Sequence, residues 1–434
     1  YNEFLHNNPN ITNPKKKFLN SIVNEYYEIY GYTEFTNRFK YIKDFDEITK
    51  NKEIHKYFSN SVFVIDEVHN LRDESQELNE DGTKASSKSN KESREFIYDI
   101  INSLKEPIKL ILLSATPMYD KFDEIQFIIN LLLANEKKDS IDLSTIRNYI
   151  EDTSNVDLRN TIIEKTRGLI SYIKGNDPTI FPKILQPDES IDVTFTDQTK
   201  RLLTKFNVVP SIMSDYQKKM YLSINNAEKV NKDDLKKKFS NIVFPLKDKD
   251  GETTLQNMYK FFELFKKDNN VYSIEDDKED VVNEFLDNID KYSAKIHTII
   301  NNITSCKGKV FLYSRFVDAD NGGSILLSII LEKYGFHKKH YNSKTKQLGV
   351  KNMLSTKINE NVIGHYIRTD GTTGKDTFDE YIKHFNAEDN INGEQIKIII
   401  GGTNMMEGVS LFNVRECHIL DPWYNLSRNE QIVG

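Results

Sequence analysis

Cysteine is nearly absent from this 434-residue chain: Cys306 and Cys417 are the only two. Two thiols cannot make a disulfide framework or a four-cysteine zinc site, and their scarcity suits a reducing compartment. No run of eighteen or more apolar residues occurs, which argues against a membrane-spanning helix and predicts no membrane partner. An excess of basic charge is missing as well. With 59 Lys and Arg against 66 Asp and Glu, the formal net charge is −7. Such a chain is no general polyanion binder, so any nucleic-acid contact must come from a local patch. Residue 1 is Tyr rather than Met, no signal-peptide pattern follows, and the sequence stops at Gly434. The chain therefore reads as a fragment.

What is present points to folded α/β domains. Hydrophobic residues make up 38%, with 22 Tyr and 25 Phe, which is too apolar for a wholly disordered chain. The length suits about three domains, or two large ones. Residues 61–65 and 108–113 are short β-branched runs that predict buried strands of a parallel sheet. Residues 16–30, 122–134 and the stretch before Leu104 have helical spacing. Residues 72–93 are polar and predict a solvated loop. Between about 190 and 295, lysine and acidic clusters alternate with amphipathic segments, which predicts a helical insertion. Strands are again expected at 309–313, 363–368, 396–400 and 417–420, with helices between them. Strands alternating with helices imply a parallel sheet covered on both faces. The boundaries expected are a first domain at 1–190, the helical segment at 191–295 and a second domain at 296–434.

Ligands of open parallel sheets sit beyond the carboxyl ends of the strands, and the chemistry-bearing residues lie there. Asp66 and Glu67 follow the first strand. Phosphoryl transfer needs a carboxylate for Mg²⁺ and a group that positions the attacking water. Asp66 suits the first role and Glu67 the second. Ser114, Ala115 and Thr116 follow the neighbouring strand, and their hydroxyls could bond the carboxylate site. Gly401, Gly402 and Gly408 surround a later strand end, where glycine lets backbone approach a phosphate closely. Taken singly, each feature also has a plain reading: helix-capping acids, an ordinary turn, a loop needing positive φ, and, for Trp423, a packed aromatic.

In order and spacing these pieces resemble superfamily 2 helicases and translocases, with a Swi/Snf-type second domain. The matching stretches are Asp66-Glu-Val-His69, Ser114-Ala-Thr116, Lys309 to Phe316 with Tyr313 and Arg315, Asp370-Gly371, Gly402 to Leu411, and Gln431 to Gly434. Further stretches around Arg167, Phe181, Met213 and Ser240 look like nucleocytoplasmic large DNA virus proteins. These are the group of the poxvirus early transcription factor small subunit and nucleoside triphosphate phosphohydrolase I.

The resemblance implies two RecA-like parallel-sheet domains that bind ATP between them. It gives Asp66 to Mg²⁺ and Glu67 to water activation. His69, Ser114, Ala115 and Thr116 couple hydrolysis to movement. Gly402, Thr403, Glu407 and Gly408 contact nucleic acid, and Gln431 and Gly434 begin the last motif. It also implies a nucleic-acid partner, DNA favoured over RNA, and a viral RNA polymerase or second transcription-factor subunit, in the virion and host cytoplasm.

Two departures stand out. No Gly-x-x-x-x-Gly-Lys-Ser/Thr loop occurs, and Gly371-Thr-Thr-Gly-Lys375 is a decoy with the wrong spacing. The arginines expected after Gly434 are also beyond the sequence. Both domains are therefore expected to be cut at the chain ends, and the fragment alone is expected to be nearly inert. The alternatives are a helicase-derived scaffold without a nucleotide cycle, and a chromatin- or restriction-type translocase. Candidate basic patches are Lys15 to Lys17, Lys236 to Lys238, and Lys338 with Lys339.

Overall fold

The computed structural model describes residues 14–71, 88–118, 122–172, 192–194, 200–202, 211–226, 231–245, 265–268, 271–274, 279–318, 322–354, 361–371, 373–406, 408–423 and 426–433. The fold is α/β with parallel sheets, of the RecA-like kind. The chain divides into two compact units, Tyr1–Asp177 and Pro178–Gly434.

In the first unit, α1 (Pro14–Tyr26), α2 (Tyr32–Phe39) and α3 (Glu47–Phe58) precede β1 (Val62–Ile65). Then come α4 (Lys88–Ser103), β2 (Lys109–Leu112), α5 (Phe122–Asn135), α6 (Leu143–Glu151) and α7 (Val156–Thr166). Helix α3 starts where Asp46 accepts the backbone N–H groups of Ile48 and Thr49, a side-chain cap on otherwise unpaired donors. Strands β1 and β2 pair in parallel, Ile65 opposite Leu112. Ile65, Phe96, Ile100, Leu104 and Leu131 share one core with Phe39, Ile54 and Phe58.

Two expectations need correction here. The strands at 61–65 and 108–113 are not buried throughout: Val62 and Val64 are 58% and 57% exposed, because the core lies on one face of the pair. The polar stretch read as a loop to residue 93 is helical from Lys88. Ser93 is fully buried there and hydrogen-bonded to Thr36, so a polar residue serves a helix packing position. Residues 72–87 lie outside the described residues.

The second unit holds a six-stranded sheet in the order β12–β7–β11–β10–β8–β9. Its strands are β7 (Lys309–Tyr313), β8 (Phe336–Asn342), β9 (Gln347–Val350), β10 (Gly364–Arg368), β11 (Ile398–Gly401) and β12 (Val414–Ile419). All neighbours are parallel except β9, which folds back on β8. Side chains alternate across the sheet as the period of two requires. Val310, Leu312, Tyr366, Ile398 and Ile400 enter one core, while Phe311, Tyr313, Ile367 and Ile399 enter the other.

The first of these cores is closed by α8 (Asp215–Ser223), α9 (Lys232–Asn241), α10 (Glu279–Asp287), α11 (Ile289–Tyr292) and α12 (Ala294–Ser305), with α13 (Ser324–Lys333). The second is covered by α14 (Lys375–Phe385) and α15 (Leu426–Val433), through Tyr381, Phe385 and Ile432. The 191–295 segment is not wholly helical. It includes the antiparallel pairs β3 (Asp192–Thr194) with β4 (Lys200–Leu202) and β5 (Phe265–Asp268) with β6 (Val271–Ile274). The decoy Gly374 is the residue before α14, so its place is that of an ordinary helix start.

Candidate active site

The turn after β1 carries the acid pair. Leu113 N–H donates to Ile65 at 2.9 Å and Val68 N–H to Leu113 at 3.0 Å, so the two strand ends stay paired into the turn. Glu67 takes φ of +51°, a left-handed conformation that costs a non-glycine residue about 1 kcal/mol. Two features hold it there. Its carbonyl accepts Asn70 N–H at 2.8 Å, and Tyr32, at the start of α2, donates its hydroxyl to the carbonyls of both Asp66 and Glu67. Tyr32 is itself fixed by α4, because its own carbonyl accepts the Ser93 and Thr36 hydroxyls at 3.3 and 3.0 Å.

Asp66 is exposed, and one of its oxygens accepts Glu67 N–H at 3.1 Å. Among the described residues no hydrogen bond engages its second carboxylate oxygen. A hard oxygen donor in that position suits Mg²⁺. Glu67 is partly buried and its carboxylate lies 3.2 Å from His69 Nδ1. His69 is buried, and the same Nδ1 lies 3.0 Å from Ser114 Oγ and 3.4 Å from Thr116 Oγ1. Ser114 Oγ also accepts Thr116 N–H at 3.1 Å. The hydroxyls after β2 thus reach the acid pair through the imidazole rather than directly. Ala115 lies between them in the turn. The geometry brings Glu67, His69, Ser114 and Thr116 around one ring nitrogen, with Asp66 one residue away.

In the second unit the expected residues gather at the carboxyl ends of β7, β11 and β12. Tyr313 is fully buried, and its hydroxyl accepts Trp423 Nε1–H at 2.8 Å. The Arg315 and Arg428 guanidinium groups lie 4.7 and 4.1 Å from the Trp423 ring. The Asp421 carboxylate accepts Ser314 Oγ–H at 3.2 Å and the backbone N–H of Arg315. Burial pushes its pKa up to about 6, although Arg315 and Lys295 oppose the shift.

The glycines after β11 have different grounds. A Cβ on Gly401 would fall 2.5 Å from Met405 Cγ, so close packing requires it. Gly402 has an extended backbone with φ of −113°. Gly408 takes φ of +70° and is open to solvent. Thr403 is exposed at the head of the short 3₁₀ turn. Gln431 sits on α15 beside the buried Ile432. Glu407 and Gly434 lie outside the described residues.

Tyr32, Asp421 and Lys295 were not expected as site residues. Tyr32 is 34 residues from Asp66 and has no local signal. Asp421 belongs to the Asp421-Pro-Trp stretch of the Swi/Snf-like series, where the sequence assigns it no role of its own.

No family model matches the chain. It is 28% identical over 427 residues to a protein of Acanthamoeba polyphaga mimivirus named as an ATP-dependent RNA helicase. That alignment covers 95% of the chain and 60% of the relative. A protein named as a helicase in Invertebrate iridescent virus 3 is 27% identical over 388 residues, 87% of the chain and 33% of that protein. A killer-plasmid protein of Kluyveromyces lactis, also named as a helicase, is 30% identical over 146 residues, 34% of the chain and 21% of its own length. The chain thus spans less than two thirds of each of these relatives. Over most of its length, the chain has its relatives among proteins of large DNA viruses that are named as helicases.

Proposed function

We propose that the intact protein is an ATP-driven nucleic-acid helicase or translocase of superfamily 2 serving viral transcription. One observation carries the reading: the acid pair after β1 and the hydroxyls after β2 converge on His69 Nδ1, within 3.0 to 3.4 Å. The names of the viral relatives support it.

In this reading the first, ATP-binding domain occupies 1–190, the linker 191–295 and the second domain 296–434. Asp66 would hold Mg²⁺, which when bound neutralises charge developing on the phosphates. Glu67 orients the attacking water and takes its proton. His69 has one position at Nδ1 and three oxygens around it. It cannot serve all of them equally, so a shift of Ser114 or Thr116 changes what the imidazole offers Glu67. That competition is a physical route from hydrolysis to movement. Gly402, Thr403, Glu407 and Gly408 are assigned to nucleic-acid contact. Tyr313, Arg315, Gln431 and Gly434 are assigned to the nucleotide side of the second domain. The expected partners are DNA ahead of RNA, and a viral RNA polymerase or second transcription-factor subunit, in the virion and the cytoplasmic viral factory.

The test is ATP hydrolysis by the full-length protein with DNA, with RNA and with neither. Nucleic acid should stimulate turnover, and Glu67→Gln should lower kcat by about 10² to 10⁴ while leaving nucleic-acid binding intact. A full-length protein that hydrolyses no ATP under any of these conditions overturns the reading.

A further inference from the structure

The chain carries net charge −7, yet from residue 333 to 359 it has seven lysines and neither Asp nor Glu. The centre of this run folds as the hairpin of β8 and β9, with Asn342 paired to Gln347 across the turn. Strand β9 is the edge of the six-stranded sheet. The turn is built to hold its shape. Asn342 Oδ1 accepts the N–H groups of Lys344 and Thr345 at 3.0 and 3.3 Å, Lys346 N–H donates to the Asn342 carbonyl at 2.8 Å, and Lys346 takes φ of +56°. Residues 342–347 are all exposed, as is Lys351 just after β9.

The positive charge of the turn itself has no acid paired to it among the described residues. Lys333 pairs with Asp287 at 2.8 Å, but Lys339, Lys344, Lys346 and Lys351 form no ion pair among the described residues. Deeper in the hairpin, burial, followed by the charge of Arg368, pushes the Lys338 pKa down to about 8; Glu332 and Asp370 oppose the shift, and Lys351 adds to it. Burial, Lys338 and Lys351 likewise hold His340 below its usual value. Like charges therefore gather along an exposed, hydrogen-bonded hairpin in an acidic protein. An anion lying along the hairpin would relieve that repulsion.

Lysines on an edge strand also discourage edge-to-edge pairing. That role needs charges on the edge strand itself, and β9, Gln-Leu-Gly-Val, carries none. It does not account for Lys344 and Lys346 in the turn or for the loss of every acid over the whole run. From this placement we infer that the β8–β9 hairpin is a docking surface for the phosphate backbone of a nucleic acid, with Lys344, Lys346 and Lys351 as its contacts. The inference rests on the nucleic-acid reading above and extends it to a surface outside every motif in the sequence. Contacts of this kind are sequence-independent and release counterions.

The experiment is fluorescence anisotropy of labelled single-stranded and duplex oligonucleotides, DNA and RNA, with the full-length protein across a salt series. The triple variant Lys344→Glu, Lys346→Glu, Lys351→Glu should bind at least about tenfold more weakly. Its log K against log salt slope should be shallower by roughly 2, three contacts at about 0.7 each on a single strand. The milder Lys344→Gln, Lys346→Gln pair should move both quantities in the same direction, the slope by roughly 1.4 and the affinity by less than in the triple variant, and thermal melts should match wild type. Unchanged affinity and slope, with or without new aggregation, overturn the proposal. A wild-type protein that binds none of the oligonucleotides overturns it too. Salt-dependent binding lost in the variant, in a wild-type protein that hydrolyses no ATP, keeps the hairpin assignment and removes only the motor.

Discussion

His69 Nδ1 lies 3.0 Å from Ser114 Oγ, tying the turn after β1 to the turn after the neighbouring parallel strand. The link is buried on the His69 side, where water competes poorly. It is also the step through which the Ser114 and Thr116 hydroxyls reach Glu67. Replacing both, as Ser114→Ala with Thr116→Ala, leaves Asp66 and Glu67 in place and removes two of the three oxygens around the imidazole. The expected result in the full-length protein is ATP turnover within about threefold of wild type and strand displacement or translocation reduced at least about tenfold, a 1.4 kcal/mol effect on coupling alone. Equal losses in both assays would contradict a coupling role.

Tyr32 grips the site from a distance. Its hydroxyl donates to the carbonyls of Asp66 and Glu67, across the residue with φ of +51°. Tyr32→Phe keeps the ring and removes only that donor. A hydrogen bond of this kind is worth about 0.5 to 1.5 kcal/mol, so kcat should fall by roughly two- to tenfold with KM for ATP little changed. Thermal melts and active-site titration of the full-length variant separate this from a loss of folded fraction, which would lower the apparent kcat in the same way.

The strands that carry chemistry were legible because each is a short β-branched run followed by a polar turn, as with Val62–Ile65 before Asp66 and Ile398–Gly401 before Gly402. The strands of the large sheet that escaped notice, β8 and β9, carry Phe-His-Lys-Lys-His-Tyr-Asn and Gln-Leu-Gly-Val. Strand β9 lies at the sheet edge, where one side needs no apolar partner, and β8 beside it reads as polar. The helix at Lys88 was hidden by its polar first turns, since helix α4 meets its core through Ser93, Phe96, Ile97, Ile100 and Ile101, all past the first turn. Within the site, the residues adjacent to strand ends could be named from order alone. The Tyr32 contact and the Ser314–Asp421 bond could not, because they join segments 34 and 107 residues apart and depend on tertiary packing.

Asp421 gives a pH prediction with a defined sign. Its folded-state pKa is raised to about 6 from 3.8, so the folded protein holds this proton more tightly than the unfolded chain. Between about pH 4 and 6 the unfolded state releases the proton first, and stability from this group falls as pH rises through that window. The groups facing it are Ser314, Arg315 and Lys295, the last itself pushed below its usual pKa by burial. The integrated effect is up to about 3 kcal/mol at 1.36 kcal/mol per unit. Melting temperatures of wild type and Asp421→Asn, measured from pH 4 to 7, should diverge steadily across the window. A constant difference would place the carboxyl near its ordinary pKa.

Trp423 is the only tryptophan, which makes its surroundings directly measurable. Its Nε1–H donates to Tyr313 at 2.8 Å, its backbone N–H donates to Asn429 Oδ1 at 2.9 Å, and its ring lies against the Arg315 and Arg428 guanidinium groups. The indole is thus held at its edge, its backbone and its ring surface. Tyr313→Phe removes the acceptor and leaves a half-buried indole N–H without this partner. That change should cost about 1 to 3 kcal/mol in denaturant unfolding followed by tryptophan emission. Arg428→Met keeps the length of the side chain and removes the charge over the ring. Its cost should be smaller, about 0.5 to 1 kcal/mol, and its loss should be visible as altered emission intensity in the folded state. If the Arg428 change costs as much as the Tyr313 change, the ring is positioned by the cation rather than by the hydrogen bond, and the burial of Tyr313 serves only the core.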